Sequence, residues 1–214
     1  MKIYVVGSSK NKFLPLDNIR EKFLIDQKHE GDNIDFLNPW YCELTGLYYL
    51  WKHVDDEIVG LEHYRRYMTN SNKPITEAEA KVLLEDYDLL CPIAQYSKTK
   101  PVKTFITLTK KWGDFNYFLQ FVKRYVSEDY YQACMFTLNS SYHLIGNMFI
   151  ARKKFCDDYC EFIFDVLDNF MKFCEFTHHD LSKRICGYLT EFLFKAYCLC
   201  YNKKYKIINF KLIK

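Results

Sequence analysis

The apolar positions of this chain fall into short continuous runs and into three-to-four-spaced stripes that follow one another in turn. Residues 2–6, Lys-Ile-Tyr-Val-Val, have the length and character of a buried strand, and Gly7-Ser8-Ser9-Lys10 is a small-residue turn behind it. Residues 11–37 show no period and read as irregular polar chain ending in Gly31-Asp32-Asn33. From Asn38 to about His53, the positions Trp40, Leu44, Leu47, Leu50, Trp51 and Val54 make one helical stripe; Asn38 is placed to cap it and Pro39 to start it. Residues 57–67 begin as a buried strand and turn polar at the carboxyl end, and Thr76 with Glu79 predicts a capping box for a helix to about Glu85. Residues 87–92 read as a strand stopped by Pro92, and 93–111 as a loop dotted with lysines. Helical patterns cover 114–126, 128–136, 153–174 and 183–201, while 143–150 and 205–213 read as strands.

Strands and helices in alternation predict an α/β fold with a single Rossmann-like, mostly parallel sheet. The 214 residues fit one domain, 1–214. In such sheets ligands lie beyond the carboxyl ends of the strands, which points to the ends of strands 2–6 and 58–67.

Composition changes this picture little. Hydrophobic residues at 49% and charged residues at 27% are an ordinary globular balance, so a core can be built. Aromatics at 18% fit either rings stacked on sugars or a bias in residue usage. A net charge of +3 is too small to mark a nucleic-acid partner. Lys203, Lys204, Lys206, Lys211 and Lys214 dot the tail, a pattern that fits an edge strand guarded by lysines or a contact with an anionic membrane surface. The nine cysteines form no paired C-x-x-C units and follow no signal peptide, which predicts free thiols, a reducing cytoplasm and no zinc–thiolate site. No apolar run is long enough to cross a bilayer.

Candidate chemistry concentrates in Gly60-Leu61-Glu62-His63-Tyr64-Arg65-Arg66-Tyr67. Period-two alternation puts Val59, Leu61, His63 and Arg65 on one face and Glu62, Tyr64 and Arg66 on the other. A buried strand ending in two guanidiniums suits a diphosphate, whose charge grows as it leaves and whose oxygens match arginine's planar fork. The other reading is one Arg paired with a buried carboxylate as scaffold. Glu43, inside an apolar stripe, needs a partner; Arg65 or His63 are the expected ones, as a structural ion pair or within the site. Arg184, Tyr188, Glu191 and Lys195 share one helical face, with Glu191 either a general base for an acceptor hydroxyl or part of a solvated salt-bridge face. Asp86-Tyr87-Asp88 has the form of a metal-holding pair but precedes its strand, the wrong end for a ligand. His178-His179-Asp180 reads as a solvated loop, and Asn147 and Met148 stand near a strand end, in reach of a ligand.

Three blocks occur in a specific order: Gly31-Asp32-Asn33-Ile34 with Asn38-x-x-Tyr41-Cys42-Glu43-Leu44-Thr45-Gly46-Leu47, then residues 58–68 around Glu62-His63-Tyr64-Arg65-Arg66, then Asn147-Met148-Phe149-Ile150. Gly187-Tyr188-x-x-Glu191 follows them. In this order they resemble a bacterial family of glycosyltransferases from capsular and exopolysaccharide gene clusters, over nearly the whole chain. The resemblance implies a nucleotide-diphospho-sugar transferase fold of the A type (GT-A-like), a nucleotide-sugar donor, with a UDP-sugar first, and a glycan or lipid-linked acceptor. Where relatives of the fold carry Asp-x-Asp, the strand here ends in His63-Tyr64-Arg65-Arg66; this leaves the need for a divalent metal open, with arginines doing the metal's electrostatic work as one reading and no residue assigned to a metal. The roles implied are catalytic for Glu191, Arg65 and Arg66, donor-binding for Gly7, Ser8, Asn33, Asn38, Glu43, His63, Tyr64 and Asn147, and acceptor-binding for Arg184 and Tyr188. His63 is expected to hold the diphosphate together with Arg65 and Arg66. The chain departs from the family in a short segment before Gly31 and in Thr190-Glu191-Phe192, where relatives show Ser-Glu-Arg. Two rival classes remain beside this one: a non-catalytic nucleotide- or sugar-binding module, and another phosphosugar or nucleotidyl transferase. The expected location is cytoplasmic, at the inner membrane face where the basic tail meets lipid.

Overall fold

In the computed structural model, which describes residues 1–94, 98–145 and 147–212, the elements begin with β1 (Lys2–Gly7), β2 (Arg20–Leu24), a 3-10 turn (Asp35–Leu37), α1 (Asn38–Tyr41) and α2 (Leu44–His53). There follow β3 (Ile58–His63), β4 (Arg66–Asn70), β5 (Lys73–Pro74), α3 (Glu77–Leu83), β6 (Leu89–Cys91), β7 (Ile93–Ala94), α4 (Val102–Leu108) and α5 (Trp112–Phe121). A π turn (Val122–Val126) leads to α6 (Glu128–Asn139), β8 (His143–Leu144), β9 (Phe149–Arg152), α7 (Lys153–Phe176), α8 (Ile185–Cys200), β10 (Tyr205–Ile207) and β11 (Asn209–Leu212).

The central path of the sheet is β10-β6-β9-β3-β1-β2. β1 runs parallel to β2 and β3, and β10 to β6, while β9 runs antiparallel between β3 and β6. The α/β fold with a largely parallel sheet is therefore the observed one. Side-chain alternation sorts two cores. Tyr4, Val6, Val59, Leu61, Phe149 and Ala151 face α2 and the helices from α4 to α8. Ile3, Ile58, Leu90 and Ile150 face a smaller core closed by Met68, Ile75, Ala80 and Leu84. Much of the aromatic content is core: Tyr159 of α7 meets Phe194 and Tyr197 of α8 edge-on at 4.8 and 4.9 Å.

Gly60 is a tight point in the middle of the sheet. A Cβ there would lie 2.8 Å from Phe149 O and 3.0 Å from Ile150 Cγ1, so β9 leaves no room for a side chain. Gly60→Ala is expected to destabilise by about 1–3 kcal/mol through this overlap. Urea unfolding checks it, and an unchanged midpoint would show that β9 yields.

Several expectations are corrected. The helix from Asn38 to His53 is broken: Cys42 adopts φ 51°, ψ −123°, and α2 starts after Glu43. Asn38 is the first residue of α1 rather than its cap, and its Nδ2 donates to Ile25 O at 2.8 Å. The irregular stretch 11–37 contains β2, whose Glu21 and Lys22 are exposed while Phe23 points inward, the charged sequence of an edge strand. Residues 57–67 are two strands joined by a turn, and 143–150 divides into β8 and β9. The loop 93–111 holds β7 and α4, and the tail divides into β10 and β11.

β10 is an edge of the central path, and Lys203 and Lys206 engage Asp158 at 3.9 Å and the Tyr87 ring at 5.5 Å. Within the expected solvated loop His178 and Asp180 are exposed, while the partly exposed His179 stacks on Tyr117 at 4.0 Å and bonds Asp114 at 3.1 Å. All nine cysteines are free thiols. Ile213 and Lys214 of the tail, residues 95–97 of the lysine-dotted loop and Gly146 lie outside the described residues. Among the described residues no helix is long and apolar enough to cross a membrane.

Candidate functional site

β3 ends at His63, and the turn Tyr64-Arg65 returns the chain into β4, with His63 paired to Arg66. The inner side of this hairpin is fixed by one buried ion pair. Arg20 of β2 forks onto Glu62, Nε to Oε2 at 2.7 Å and Nη2 to Oε1 at 3.2 Å, with neither side chain exposed. Glu62 also accepts the Met68 N–H at 2.9 Å, and Asp17 accepts Arg20 Nη1 at 2.6 Å. The expected scaffold pairing of an arginine with a buried carboxylate thus exists, but it employs Arg20 and leaves Arg65 and Arg66 to the other side. Those two do not diverge as strand alternation predicted. The turn intervenes, and both guanidiniums act on His63 and on Glu191.

Glu191 comes from the second turn of α8, half-buried, with its Oε1 3.9 Å from Arg66 Nη1. Burial and the nearby Glu43 carboxylate push its pKa from the ordinary 4.5 up to about 7, against the pull of Arg66, Arg184 and Arg65. Glu43 sits at the break between α1 and α2. Its Oε1 accepts Asn147 Nδ2 at 3.0 Å, rather than a bond from Arg65 or His63 as expected. His63 is held neutral: burial, then Arg66, Arg65 and Arg184, bring its pKa down to about 3. In this neutral form the ring keeps one N–H to donate. Its Nδ1 is buried without a hydrogen-bond partner among the described residues.

Arg184 caps α8 from the left-handed region at φ 66°, an arrangement costing on the order of 1 kcal/mol for a residue with a side chain. Two bonds hold it there: its N–H to Pro39 O at 2.9 Å and its Nε to Cys42 Sγ at 3.4 Å. These staple the head of α8 to α1 and bring Glu43 and Glu191 together. Tyr188 lies between Arg184 and Lys111, whose charges stand 5.6 and 5.8 Å from its ring. Lys195 leaves the expected shared face for the interior, with Nζ 3.2 Å from Ser140 Oγ and 3.7 Å from the Tyr142 ring.

The remaining expected residues divide by position. Gly7, Asn38 and Tyr64 lie level with the end of β3, since Tyr64 N–H bonds Val6 O and Ile25 N–H bonds Gly7 O, both at 2.9 Å. A Cβ on Gly7 would meet Tyr64 Cβ at 2.9 Å and Phe13 at 2.8 Å. Ser8 turns inward on its own loop, N–H and hydroxyl both bonded to Asn11 Oδ1. Asn33 is not brought to this cluster: its amide bridges His29 O and Gly31 O, beside the His53 end of α2, the end remote from Glu43. Asn147, 5% exposed, spends its amide on Glu43, Gly187 and Thr190. Asp86 and Asp88 lie at the amino end of β6, and Asp88 bonds the Lys204 N–H at 2.7 Å. Among the described residues no group of His, Cys, Asp or Glu is arranged to hold a metal ion. An apolar cleft of about 640 Å³ beside Phe121, Phe162 and Phe176 contains none of these residues.

What results is a carboxyl that gains and loses a proton near pH 7, a second carboxylate beside it, and the guanidiniums of Arg65, Arg66 and Arg184 around them. Such a set can take a proton from a hydroxyl and neutralise an anion forming nearby. Sequence reasoning missed Thr190 and the bridging part of Asn147; the signal available was a polar pair among apolar neighbours.

A search among curated proteins returns no match. Among solved structures the chain is similar to the apo structure of the WbbM bifunctional glycosyltransferase, with a TM-score of 0.78 and 24% identity. The match covers 100% of this chain and 45% of that one, so the chain spans less than half the length of that structure. The likeness is one of fold, and it agrees with the GT-A-like architecture. Residues 2–203 match the family described as a domain of unknown function, DUF4422, and the chain belongs to that family.

Proposed function

We propose that the chain is a glycosyltransferase that moves a sugar from a nucleotide-sugar donor to a hydroxyl of a glycan or lipid-linked acceptor. The observation that carries this reading is Glu191, a carboxyl with a pKa near 7 set among Arg65, Arg66 and Arg184 at the carboxyl ends of the parallel strands. The fold shared with a glycosyltransferase structure supports it. In the reaction, Glu191 accepts the proton of the acceptor hydroxyl as that oxygen bonds the anomeric carbon. The bond from that carbon to the diphosphate breaks, and the arginines take up the charge left on the phosphate oxygens. This use of Glu191 belongs to an inverting transfer. The donor of this reading is a UDP-sugar, the setting is capsular or exopolysaccharide synthesis, and the arginines stand in for a divalent ion. Arg184 and Tyr188 face the acceptor.

The test is thermal unfolding with UDP, GDP, CMP and dTDP and their sugar conjugates, with and without Mn²⁺, on wild type and Arg65→Ala, followed by assay of sugar transfer. One nucleotide class is expected to stabilise the wild type, by about 2.7 kcal/mol at 100 times its dissociation constant. The effect should be lost in Arg65→Ala and independent of Mn²⁺. Stabilisation that needs Mn²⁺ would remove the arginine-for-metal reading. Binding without turnover would make the chain a binding module, and no stabilisation by any nucleotide would overturn the proposal.

A further inference from the structure

Glu43 is reached from α8 through a closed chain of hydrogen bonds. Thr190 Oγ1 lies 2.9 Å from Asn147 Oδ1, and Asn147 Nδ2 lies 3.0 Å from Glu43 Oε1 and 3.1 Å from Gly187 O. Thr190 is 1% and Asn147 5% exposed, so water does not substitute for either partner.

The direction of each bond is forced. Glu43 Oε1 and Gly187 O only accept, so the asparagine must turn its NH₂ toward them and its oxygen toward Thr190. Flipping the amide would set oxygen against a carboxylate and a carbonyl. The Asn147 oxygen then needs a donor, and the Thr190 hydroxyl has one proton to give. That proton is drawn away from the helical carbonyls of Cys186 and Gly187, which lie 3.1 and 3.0 Å from the same oxygen. Gly187 completes the approach: a Cβ there would stand 3.4 Å from Tyr41 O and 3.8 Å from Glu43 Oε2, so α8 lies directly against the α1–α2 break.

We propose that Thr190 and Asn147 are positioning residues that fix the Glu43 carboxylate beside Glu191, so that the two carboxyls work as one proton-handling pair. Glu191 is faced by Glu43 from the helix break, by Arg65 from the turn, by Arg66 from β4 and by Arg184 from the head of α8. His63 of β3 faces the same arginines and carries no charge. Burial is the larger reason that Glu191 keeps its proton; of the charged groups around it Glu43 alone is negative, and its repulsion adds to burial against the surrounding guanidiniums. The Thr190-Glu191 sequence places the first link of the relay next to the carboxyl it serves.

This inference deepens the reading of Glu191 as a base, so its test reads protonation directly and needs no substrate. The Glu carboxyl carbons are labelled with ¹³C and titrated by NMR, with Glu191 assigned through Glu191→Gln. In wild type the Glu191 resonance is expected to titrate near pH 7. In Glu43→Gln the midpoint should fall by about 1 pH unit as the like charge is removed. In Thr190→Val it should fall by part of that amount, and in Thr190→Ser, which keeps the hydroxyl, it should stay in place. Should Thr190→Val not fold, Thr190→Ala drops the same hydroxyl without added bulk.

A midpoint unmoved in both Glu43→Gln and the folded Thr190 variant would overturn the pair. An equal fall in Thr190→Ser and Thr190→Val would overturn the relay. Failure of the transferase assay with these titrations as expected would instead count against the functional reading alone.

Discussion

Glu191→Gln is expected to lower the rate of sugar transfer by about 10²–10⁴-fold, the usual contribution of a positioned general base. Donor binding should change little, because the amide keeps the shape of the carboxyl and the arginines remain. In wild type kcat/KM should climb with pH through about 7, since only the ionised carboxyl takes a proton, and this limb should vanish in the variant.

Stability provides a second readout. Between pH 4.5 and about 7 the folded chain keeps a proton on Glu191 that the unfolded chain has released. Stability therefore falls as pH rises across that window, and the contribution is gone above it. Glu191→Gln removes the slope, so the variant should be the more stable protein at pH 8 and gain little at pH 4. Urea unfolding at the two pH values, beside the transfer assay, makes the comparison. A variant with wild-type turnover would remove Glu191 from the mechanism whatever its stability.

The largest loss of stability is expected from Arg20→Met. It leaves Glu62, with no exposed surface, bonded only to the Met68 N–H, and an unpaired buried carboxylate of this kind costs about 3–5 kcal/mol. For a domain of this size that corresponds to a fall in Tm of roughly 10 °C. Glu62→Leu should do comparable damage by stranding the guanidinium. The double variant should recover much of the loss, because both desolvated charges are gone. It should not recover all of it, since the buried Met68 N–H loses its acceptor, at about 1–3 kcal/mol for an unsatisfied buried group. A double-mutant cycle by chemical denaturation gives the coupling. Additive losses would show that the pair does not act as a unit.

The alternation of elements and the pole of the sheet where Arg65, Arg66 and Glu43 gather were legible in the sequence, because apolar runs and helical stripes report burial directly. β2 was not, since an edge strand written Arg-Glu-Lys-Phe-Leu shows one inward hydrophobe. The break at Cys42 was not legible either: cysteine carries no helix-ending signal, and the distortion is enforced by α8 packing through Gly187 and Arg184. The one local hint was the charged Glu43 inside an apolar stripe. Individual site residues were read by type, but their protonation was not. The neutrality of His63 arises from burial with its near neighbours Arg66 and Arg65 and the distant Arg184, and the raised pKa of Glu191 from burial with Glu43, far earlier in the chain.

The place of β9 between β3 and β6 has a consequence for how the chain acquires its structure. β1 and β2 can zip onto β3 within the first stretch of the chain, but the opposite edge of β3 waits for residues 149–152. A chain emerging from the ribosome therefore carries Ile58, Val59 and Leu61 on an open strand edge through the synthesis of α3 to α6. Pairing across such a separation is slow to find, and an unpaired apolar edge invites association with other chains in the meantime. The hairpin arginines and the α8 carboxyl meet only after that gap closes, so no chain ending before α8 holds the assembled cluster.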